Sequence, residues 1–204
     1  MSASPQNPPV VLASGSPRRA EILTALGIPF EIDVPGLEET LLPGESGERA
    51  VSRLAAEKAA EVVRRRPNRW VLAADTLVLL DGQALGKPSD PDDAARLLSL
   101  LAGREHRVVT AVRLRRGNDP GREAAEESRV RMSPMSGEEI GWYVSTREPM
   151  DKAGAYAVQG LGARFIEAVA GSYTNVMGLP ARAVYRLMRE APDPALARLA
   201  LASP

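Results

Sequence analysis

The chain has 204 residues, of which 44% are apolar and 25% charged, and 26 basic side chains balance 26 acidic ones. A chain of this length typically buries about 70% of its unfolded surface, so it can form a core without disulfides or structural zinc. It has no cysteine and a single histidine, His106, which excludes thiol nucleophiles, Cys-ligated metals and multi-histidine metal sites. Catalysis would therefore depend on Asp, Glu, Lys, Arg and hydroxyl groups, with any metal held by oxygen ligands.

The balanced charge argues against nucleic acid as the main partner, because such domains usually carry a large basic excess. No run of 18 apolar residues is present, and the first ten residues lack the basic start and apolar stretch of a signal peptide. We therefore expect a cytoplasmic protein with no membrane partner. Only Lys58, Lys87 and Lys152 are lysines. The other basic residues are arginines. Unless this preference for arginine is chance, the three lysine positions favour a compact ammonium group.

The predicted elements alternate short apolar strands with amphipathic helices, the pattern of an α/β domain. The first half is predicted to hold strands at 10–14, 28–34 and 70–80, helices at 17–26 and 47–65, and a hairpin at Asp81-Gly82 that returns through Ala84 and Leu85. The second half is predicted to hold helices at 91–101, 136–145 and 181–190, strands at 106–116, 127–132 and 163–172, a charged turn at 117–124, and a short helix in the last dozen residues.

No linker rich in Pro, Gly or Ser divides the chain, so two lobes of one domain are expected at 10–190, between a flexible N-terminus at 1–9 and a C-terminal tail at 191–204. Residues 147–163, REPMDKAGAYAVQGLGA, show no clear period. A polar, glycine-containing segment inside a compact domain predicts a binding loop. His106 is expected to make a structural hydrogen bond rather than to catalyse.

The segment SGSPRRAEIL, residues 14–23, is a candidate anion site. Arg18 and Arg19 fall in the first turn of a predicted helix, where the helix dipole disfavours cations. A bound phosphate chain would explain them, since free N–H groups and the hydroxyls of Ser14 and Ser16 would converge on it with the two guanidinium groups. The alternative is a surface turn whose arginines pair with nearby acids.

Three further segments carry charged side chains in apolar or glycine-containing surroundings. Asp75 interrupts the apolar strand AADTLV, where an unpaired buried carboxylate would be costly. It must therefore lie at a strand end, meet a cation or metal, or have a shifted pKa. The alternative is a structural Asp-Thr turn. Lys87 in GKPSD is either a site lysine or an ordinary loop lysine. Lys58 either extends to solvent or points into a polar cleft. Glu38 and Glu39 either hold a metal or are paired surface acids.

Taken together and in order, ASGSPRRAEIL, GLEET, AAEKA, AADTLV, GKPSD, DKAGAYAVQG and GSYTNVMGLP resemble the Maf family of septum-formation-inhibitor-like proteins over about residues 10–190. The resemblance implies an α/β fold of two lobes around a cleft, similar to the inosine triphosphate pyrophosphatases, and a homodimer. It also implies hydrolysis of nucleoside triphosphates to the monophosphate and pyrophosphate with Mg²⁺ or Mn²⁺.

DKAGAYAVQG is similar to the dTTP/UTP branch of the family rather than to the branch acting on 7-methyl-GTP. By resemblance, Arg18, Thr76 and Gln159 match positions associated with base choice, and Asp75 matches the catalytic proton acceptor. The substrate-binding residues are then expected to be Ser14, Arg18, Arg19, Lys58, Thr76, Lys87 and Gln159, and the metal ligands Glu39 and Asp75. Glu38, Glu39 and Asp75 could still exchange the roles of base and ligand.

Two other functions compete with this hypothesis. One is a pyrophosphatase for other modified or purine nucleotides. The other is a regulatory protein that binds a cell-division partner and hydrolyses nucleotides only secondarily. A pure interaction module would tolerate loss of the SPRR and AADT residues, whereas an enzyme would not.

Overall fold

The computed structural model of the chain describes residues 10–201, so the predicted N-terminal segment 1–9 lies outside the described residues. The strands are β1 Val10–Leu12, β2 Phe30–Ile32, β3 Trp70–Leu80, β4 Gln83–Leu85, β5 Glu105–Arg115, β6 Arg122–Met132 and β7 Ile166–Ala170. The helices are α1 Pro17–Ala25, α2 Gly47–Arg65, α3 Pro91–Leu101, α4 Gly137–Ser145, α5 Tyr173–Val176, α6 Ala181–Arg189 and α7 Pro194–Leu199. Three 3₁₀-helices occupy Glu148–Asp151, Ala153–Ala155 and Gly160–Phe165.

One mixed sheet runs through the molecule in the order β2-β1-β3-β5-β6-β7, with β4 paired to β3. β1 is parallel to β2 and β3, and the other pairs are antiparallel. Along one edge of β3, residues 70–72 pair with β1 and residues 78–80 pair with β4. Within residues 10–201, the segment between them, 73–77, has no strand neighbour on that edge. We call this segment the β3 notch.

The two faces of β3 and β5 are covered differently. Even-numbered residues face two apolar clusters, one built around α1 and α6 and the other around α3 and α4. Odd-numbered residues face α2. Because side chains alternate along a strand, neighbouring residues of the β3 notch point to opposite faces of the sheet. The two clusters on the even face form the two lobes, and the mixed α/β fold class predicted from the sequence is confirmed.

Several predicted elements match the structure closely because their end signals are local. α2 spans 47–65 and β3 spans 70–80, as predicted. The Ser46 hydroxyl accepts a hydrogen bond from the Arg49 amide, and Ser136 and Glu139 form both bonds of the predicted capping box. α7 provides the short helix predicted near the C-terminus, and its Leu196 is buried against the cluster around α1 and α6.

Several predicted boundaries are wrong. The strands predicted at 10–14 and 28–34 are extended only over Val10–Leu12 and Phe30–Ile32. β6 begins at Arg122, inside the predicted turn at 117–124, because residues 122–126 complete the antiparallel ladder with β5. Of the strand predicted at 163–172, only Ile166–Ala170 is extended, because Gly160–Phe165 turns as a 3₁₀-helix after a residue in the left-handed region, Gly160 with φ +77°. Across the described part of the chain, no helix is long and apolar enough to cross a membrane.

Candidate functional site

A cavity of about 370 Å³ opens beside the β3 notch. Its walls come from the β1–α1 connection and the start of α1, the β2–α2 connection, α2, β3, the segment after β4, and the 147–163 loop, with Val108 of β5 and residues 176–178. All of the site residues predicted from the sequence line it: Ser14, Arg18, Arg19, Glu39, Lys58, Asp75, Thr76, Lys87 and Gln159. The fold thus brings together side chains from six segments, and the roles assigned to them remain predictions.

Arg19 is the most deeply placed cation of the β1–α1 connection. Its three donor nitrogens bond to neutral oxygens: Nη1 to Ser14 Oγ at 3.0 Å, Nη2 to Thr76 Oγ1 at 3.3 Å and Nε to the Gly178 carbonyl at 2.9 Å. Burial lowers the pKa of Arg19, opposed by the negative charges of Asp75 and Glu39. The guanidinium is therefore fixed in orientation without being neutralised by a direct carboxylate contact.

Arg18 lies closer to solvent and pairs with Asp151 of the 147–163 loop at 3.0 Å. The alternative in which the arginines of SPRR pair with nearby acids therefore describes Arg18 but not Arg19. Ser16 occupies the N-cap position of α1, yet its hydroxyl makes no capping bond. The first turn of α1 contains no acidic residue, so its N–H groups and two arginines present positive charge to the cavity.

Asp75 and Lys58 form a buried ion pair within the cavity wall. Asp75 is 3% exposed and Lys58 is 5% exposed, and the Lys58 Nζ atom lies 2.5 Å from Asp75 Oδ1. Asp75 points to the α2 face from the middle of β3, so it meets a cation rather than lying at a strand end. Burial raises its pKa, and this effect exceeds the opposing effects of Lys58 and Arg19. A carboxylate with a raised pKa is suited to accept a proton near neutral pH.

Glu39 approaches the same lysine from the β2–α2 connection. Its Oε1 lies 2.6 Å from Lys58 Nζ, and its Oε2 lies 3.6 Å from Lys87 Nζ. Burial raises the pKa of Glu39, but the hydrogen bond and charge of Lys58, with Lys87 and Arg19, lower it overall. Glu38 is exposed and does not line the cavity. Of the two neighbouring acids, Glu39 is therefore the one placed for chemistry.

Of the carboxylates that line the cavity, Glu39 and Asp75 converge on one ammonium group and are the candidate metal ligands, whereas Asp151 pairs with Arg18 and Lys152. Among residues 10–201, no group of three or more His, Cys, Asp or Glu side chains could hold an ion by itself. Mg²⁺ is commonly held by one or two carboxylates together with substrate phosphates and water. Two carboxylates that converge on one ammonium group fit that pattern, provided that a phosphate ligand completes the coordination.

A buried polar belt, which the sequence reasoning missed, crosses the even face of the sheet between the two apolar clusters. Thr76 Oγ1 lies 2.9 Å from Thr110 Oγ1, and Thr110 donates to the Asn175 carbonyl at 3.2 Å. The Asn175 amide donates to Ser128 Oγ at 2.9 Å and to the Val108 carbonyl at 3.0 Å. The sequence held one sign of this belt: Thr110 is polar, although it occupies a position of β5 where the alternation of the strand places apolar side chains. The belt fixes Thr76, and through it Arg19.

The 147–163 loop forms the wall opposite the arginines. Asp151, Lys152 and Tyr156 line the cavity together with Gln159. Lys152 was noted from the sequence as one of the three lysines, whereas Asp151 and Tyr156 were not singled out within the predicted loop. Within the described residues, the side-chain oxygen of Gln159 is buried and has no hydrogen-bond partner. Such an atom is costly to leave unpaired, so it marks a place where a ligand group can donate.

His106 supports this loop from behind. Its Nε2 atom lies 2.8 Å from the Tyr156 hydroxyl, which agrees with the structural hydrogen bond expected from the sequence. Burial lowers the pKa of His106 to about 4. The imidazole is therefore neutral at pH 7 and acts as a hydrogen-bonding support.

The fold and the cleft define a class: a two-lobed α/β protein whose cleft has arginines at one end, in SPRR, and, within residues 10–201, the unpaired side-chain oxygen of Gln159 in its opposite wall. A family model described as Maf-like protein matches residues 9–191. The chain belongs to the Maf family, as its sequence motifs indicated.

Curated relatives span nearly the same length. A protein of Symbiobacterium thermophilum named dTTP/UTP pyrophosphatase is 47% identical over 181 residues, covering 89% of this chain and 93% of its own. A protein of the same name from Thermus thermophilus is 46% identical over 184 residues, covering 89% and 94%. Among solved structures, a HAM1 protein from Coxiella burnetii is 20% identical with a TM-score of 0.47, covering 72% of this chain and 85% of its own.

Proposed function

We propose that this protein hydrolyses nucleoside triphosphates between the α and β phosphates, with dTTP and UTP as preferred substrates, and releases the nucleoside monophosphate and pyrophosphate. The observation that carries the proposal is one cavity whose walls hold five cationic side chains and a buried carboxylate, Asp75, with a raised pKa. The relatives named dTTP/UTP pyrophosphatase support the same substrates. A cytoplasmic homodimer is part of the proposal.

Charge neutralisation comes from both sides of the cleft. Arg18 and Arg19, at the first turn of α1, receive one end of the triphosphate, and Lys58 and Lys87 receive the other. Fixed cations placed where charge develops act without reorganisation during the reaction, which is usually the largest contribution to catalysis of this type. Glu39 and Asp75 would hold a divalent cation, which supplies further neutralisation of phosphate charge when it is bound.

Asp75 is the proton acceptor in this mechanism. Lys58 contacts Oδ1, which leaves Oδ2 to orient a water molecule and take its proton as the water attacks the α-phosphate in line with the departing pyrophosphate. The burial that raises the pKa of Asp75 makes it a stronger base than an exposed carboxylate. General-base assistance contributes about 10²- to 10⁴-fold in rate.

Gln159 reads the base at the other end of the cleft. A glutamine amide both donates and accepts, so it can pair with the O4 and N3–H groups of uracil or thymine. Cytosine presents donor and acceptor in the reverse order on this edge. Provided that the amide keeps one orientation, cytosine would leave it unpaired in the cleft, which is a physical route to selectivity.

The test is to incubate the purified protein with a panel of purine and pyrimidine nucleoside triphosphates, with Mg²⁺, Mn²⁺ or EDTA, and to identify the phosphorus products. Pyrophosphate with UMP or dTMP, lost in EDTA, is the expected result. If a purine nucleotide were the preferred substrate, the protein would belong to another substrate branch of the family. Orthophosphate with a diphosphate, or no turnover at all, would overturn the proposal and favour a phosphatase or a binding role.

A further inference from the structure

Two side chains outside the catalytic cavity hold the backbone on both sides of Gln159. The Tyr143 hydroxyl, from α4, accepts the Ala157 N–H at 3.1 Å and donates to Glu148 Oε1 at 2.8 Å. Neither Tyr143 nor Glu148 lines the cavity. Their contact with each other makes them a single unit.

The same carboxylate also holds the chain after Gln159. Glu148 accepts the Leu161 N–H at 3.0 Å and the Gly162 N–H at 2.8 Å. Burial raises the pKa of Glu148, but the two backbone bonds and Tyr143 lower it overall. The acceptor is therefore negatively charged at pH 7, and hydrogen bonds to a charged acceptor are stronger than neutral ones.

The backbone between these bonds closes tightly on the pair. Gly160 has φ +77°, and a Cβ atom built on it would lie 2.6 Å from Glu148 Oε2. A Cβ atom on Gly162 would collide with the Tyr143 hydroxyl. A side chain at either position would displace a member of the pair, so the loop packs this closely on Tyr143 and Glu148 only because both residues are glycine.

α4 provides the rigid base for this arrangement. Its N-terminus has a complete capping box, and Tyr143 is fully buried against the ring of Phe165, with ring centroids 5.6 Å apart. The hydroxyl therefore has a fixed position, unlike that of a solvent-exposed tyrosine. A fixed acceptor and a fixed carboxylate together define the course of the backbone on both sides of Gln159.

From these contacts we infer that Tyr143 and Glu148 are positioning residues that set the nucleobase selectivity of the cleft by fixing Gln159. The inference rests on the proposed function and deepens it. A displacement of about 1 Å in a positioning group can cost about 100-fold in rate. Discrimination between uracil and cytosine depends on matched donors and acceptors, so it is the property most sensitive to such a displacement.

The first test is Tyr143→Phe, which keeps the buried ring and removes the hydroxyl. The Ala157 N–H then loses its acceptor and Glu148 loses a donor. We expect kcat/KM for UTP to fall about tenfold, mainly through KM, with kcat/KM for CTP changing less than about threefold. The UTP-to-CTP ratio therefore falls. Tyr185→Phe is the matched control, because the Tyr185 hydroxyl has no hydrogen-bond partner among the described residues, and it should leave the ratio unchanged.

A second variant, Gly160→Ala, reaches the same pair without altering the core, because the added methyl group displaces the Glu148 carboxylate. Like Tyr143→Phe, it should lower the ratio of kcat/KM for UTP to kcat/KM for CTP. If Tyr143→Phe does not fold, Gly160→Ala alone tests whether the pair sets selectivity. An unchanged ratio in a folded variant, or equal losses on UTP and CTP, overturns the inference while the proposed function stands. If the wild-type protein turns over no nucleoside triphosphate, the proposed function fails and the inference fails with it.

Discussion

The two walls of the cleft are built on different physical principles. The wall formed by SPRR, α2 and the β3 notch consists of regular elements that carry charged, buried side chains. The 147–163 loop consists of short 3₁₀ turns with left-handed residues, and its backbone is held by a neutral hydroxyl and one carboxylate. In the proposed mechanism, the wall that neutralises charge and the wall that matches a base edge are thus built by different structural means.

This difference separates rate from selectivity. Changes on the charged wall should reduce turnover of every nucleotide, because all triphosphates carry the same charge. Changes in the loop should alter the preference between bases, as the Tyr143→Phe test is designed to show. Substitutions on the charged wall should therefore change rate or stability and leave the preference between bases unchanged.

Asp75→Asn should give the largest effect. It removes the proton acceptor but preserves the size and burial of the side chain, so we expect kcat to fall about 10²- to 10⁴-fold for UTP and dTTP alike. Binding of a non-hydrolysable UTP analogue, measured by calorimetry, should stay within about threefold, since the cations that hold the phosphates are unchanged. Full activity in this variant would remove Asp75 from the role of base.

Lys58→Met should have the next largest effect, on stability. It leaves the buried Asp75 carboxylate facing Glu39 without the ammonium group between them, and breaking a buried ion pair typically costs about 3–5 kcal/mol in the free energy of unfolding. Urea denaturation at pH 7 measures this cost. Lys87→Met is the matched control: the Lys87 side chain is 59% exposed and 3.6 Å from Glu39, so its loss should cost under about 1 kcal/mol. Equal losses for the two variants would contradict the buried-pair interpretation.

The smallest effect concerns pH. Burial raises the pKa of Asp75, and the base must be ionised, so kcat/KM should fall as pH falls through a value above about 3.9, the ordinary pKa of Asp. The pKa of Glu148 is lowered, so this carboxylate stays ionised across that range. The UTP-to-CTP ratio should therefore stay constant while the rate declines. Profiles of kcat/KM against pH, recorded with UTP and with CTP, measure both the rate and the UTP-to-CTP ratio. If the ratio fell together with the rate, selectivity would depend on the same titrating group as catalysis, which would contradict the separation of the two walls.

Much of the charged wall could be predicted from sequence because its signals are local. Two arginines at the start of a helix, and one aspartate in an apolar strand, conflict with ordinary structural preferences unless a ligand explains them. The structure places Arg19 and Asp75 in one cavity. The contact between Lys58 and Asp75 joins residues 17 positions apart on different elements, and the sequence indicated only that Lys58 either points into a polar cleft or extends to solvent.

The sequence predicted that residues 147–163 form a binding loop, but it did not predict how the backbone of that loop is held. Its conformation depends on bonds between α4 and residues up to 14 positions later in the chain, such as that from the Ala157 N–H to Tyr143. Tyr143 reads in sequence as an ordinary apolar residue of an amphipathic helix, and Glu148 as a surface acid. Irregular backbone has no period to detect, so only the three-dimensional contacts identify these two residues.

The continuity of β3 and β5 beneath the cleft also determines which parts of the molecule can move. Their ladder runs unbroken from Val71 to Leu79, and it passes under both apolar clusters. Rotation of one lobe against the other would strain that ladder, which opposes a hinge between the lobes. Adjustment around an entering or departing ligand would fall instead to the connection at 33–46, which contains no strand and carries Glu39, because Tyr143 and Glu148 hold the 147–163 loop. The rate at which this connection moves would then limit product release, independently of the bond-breaking step.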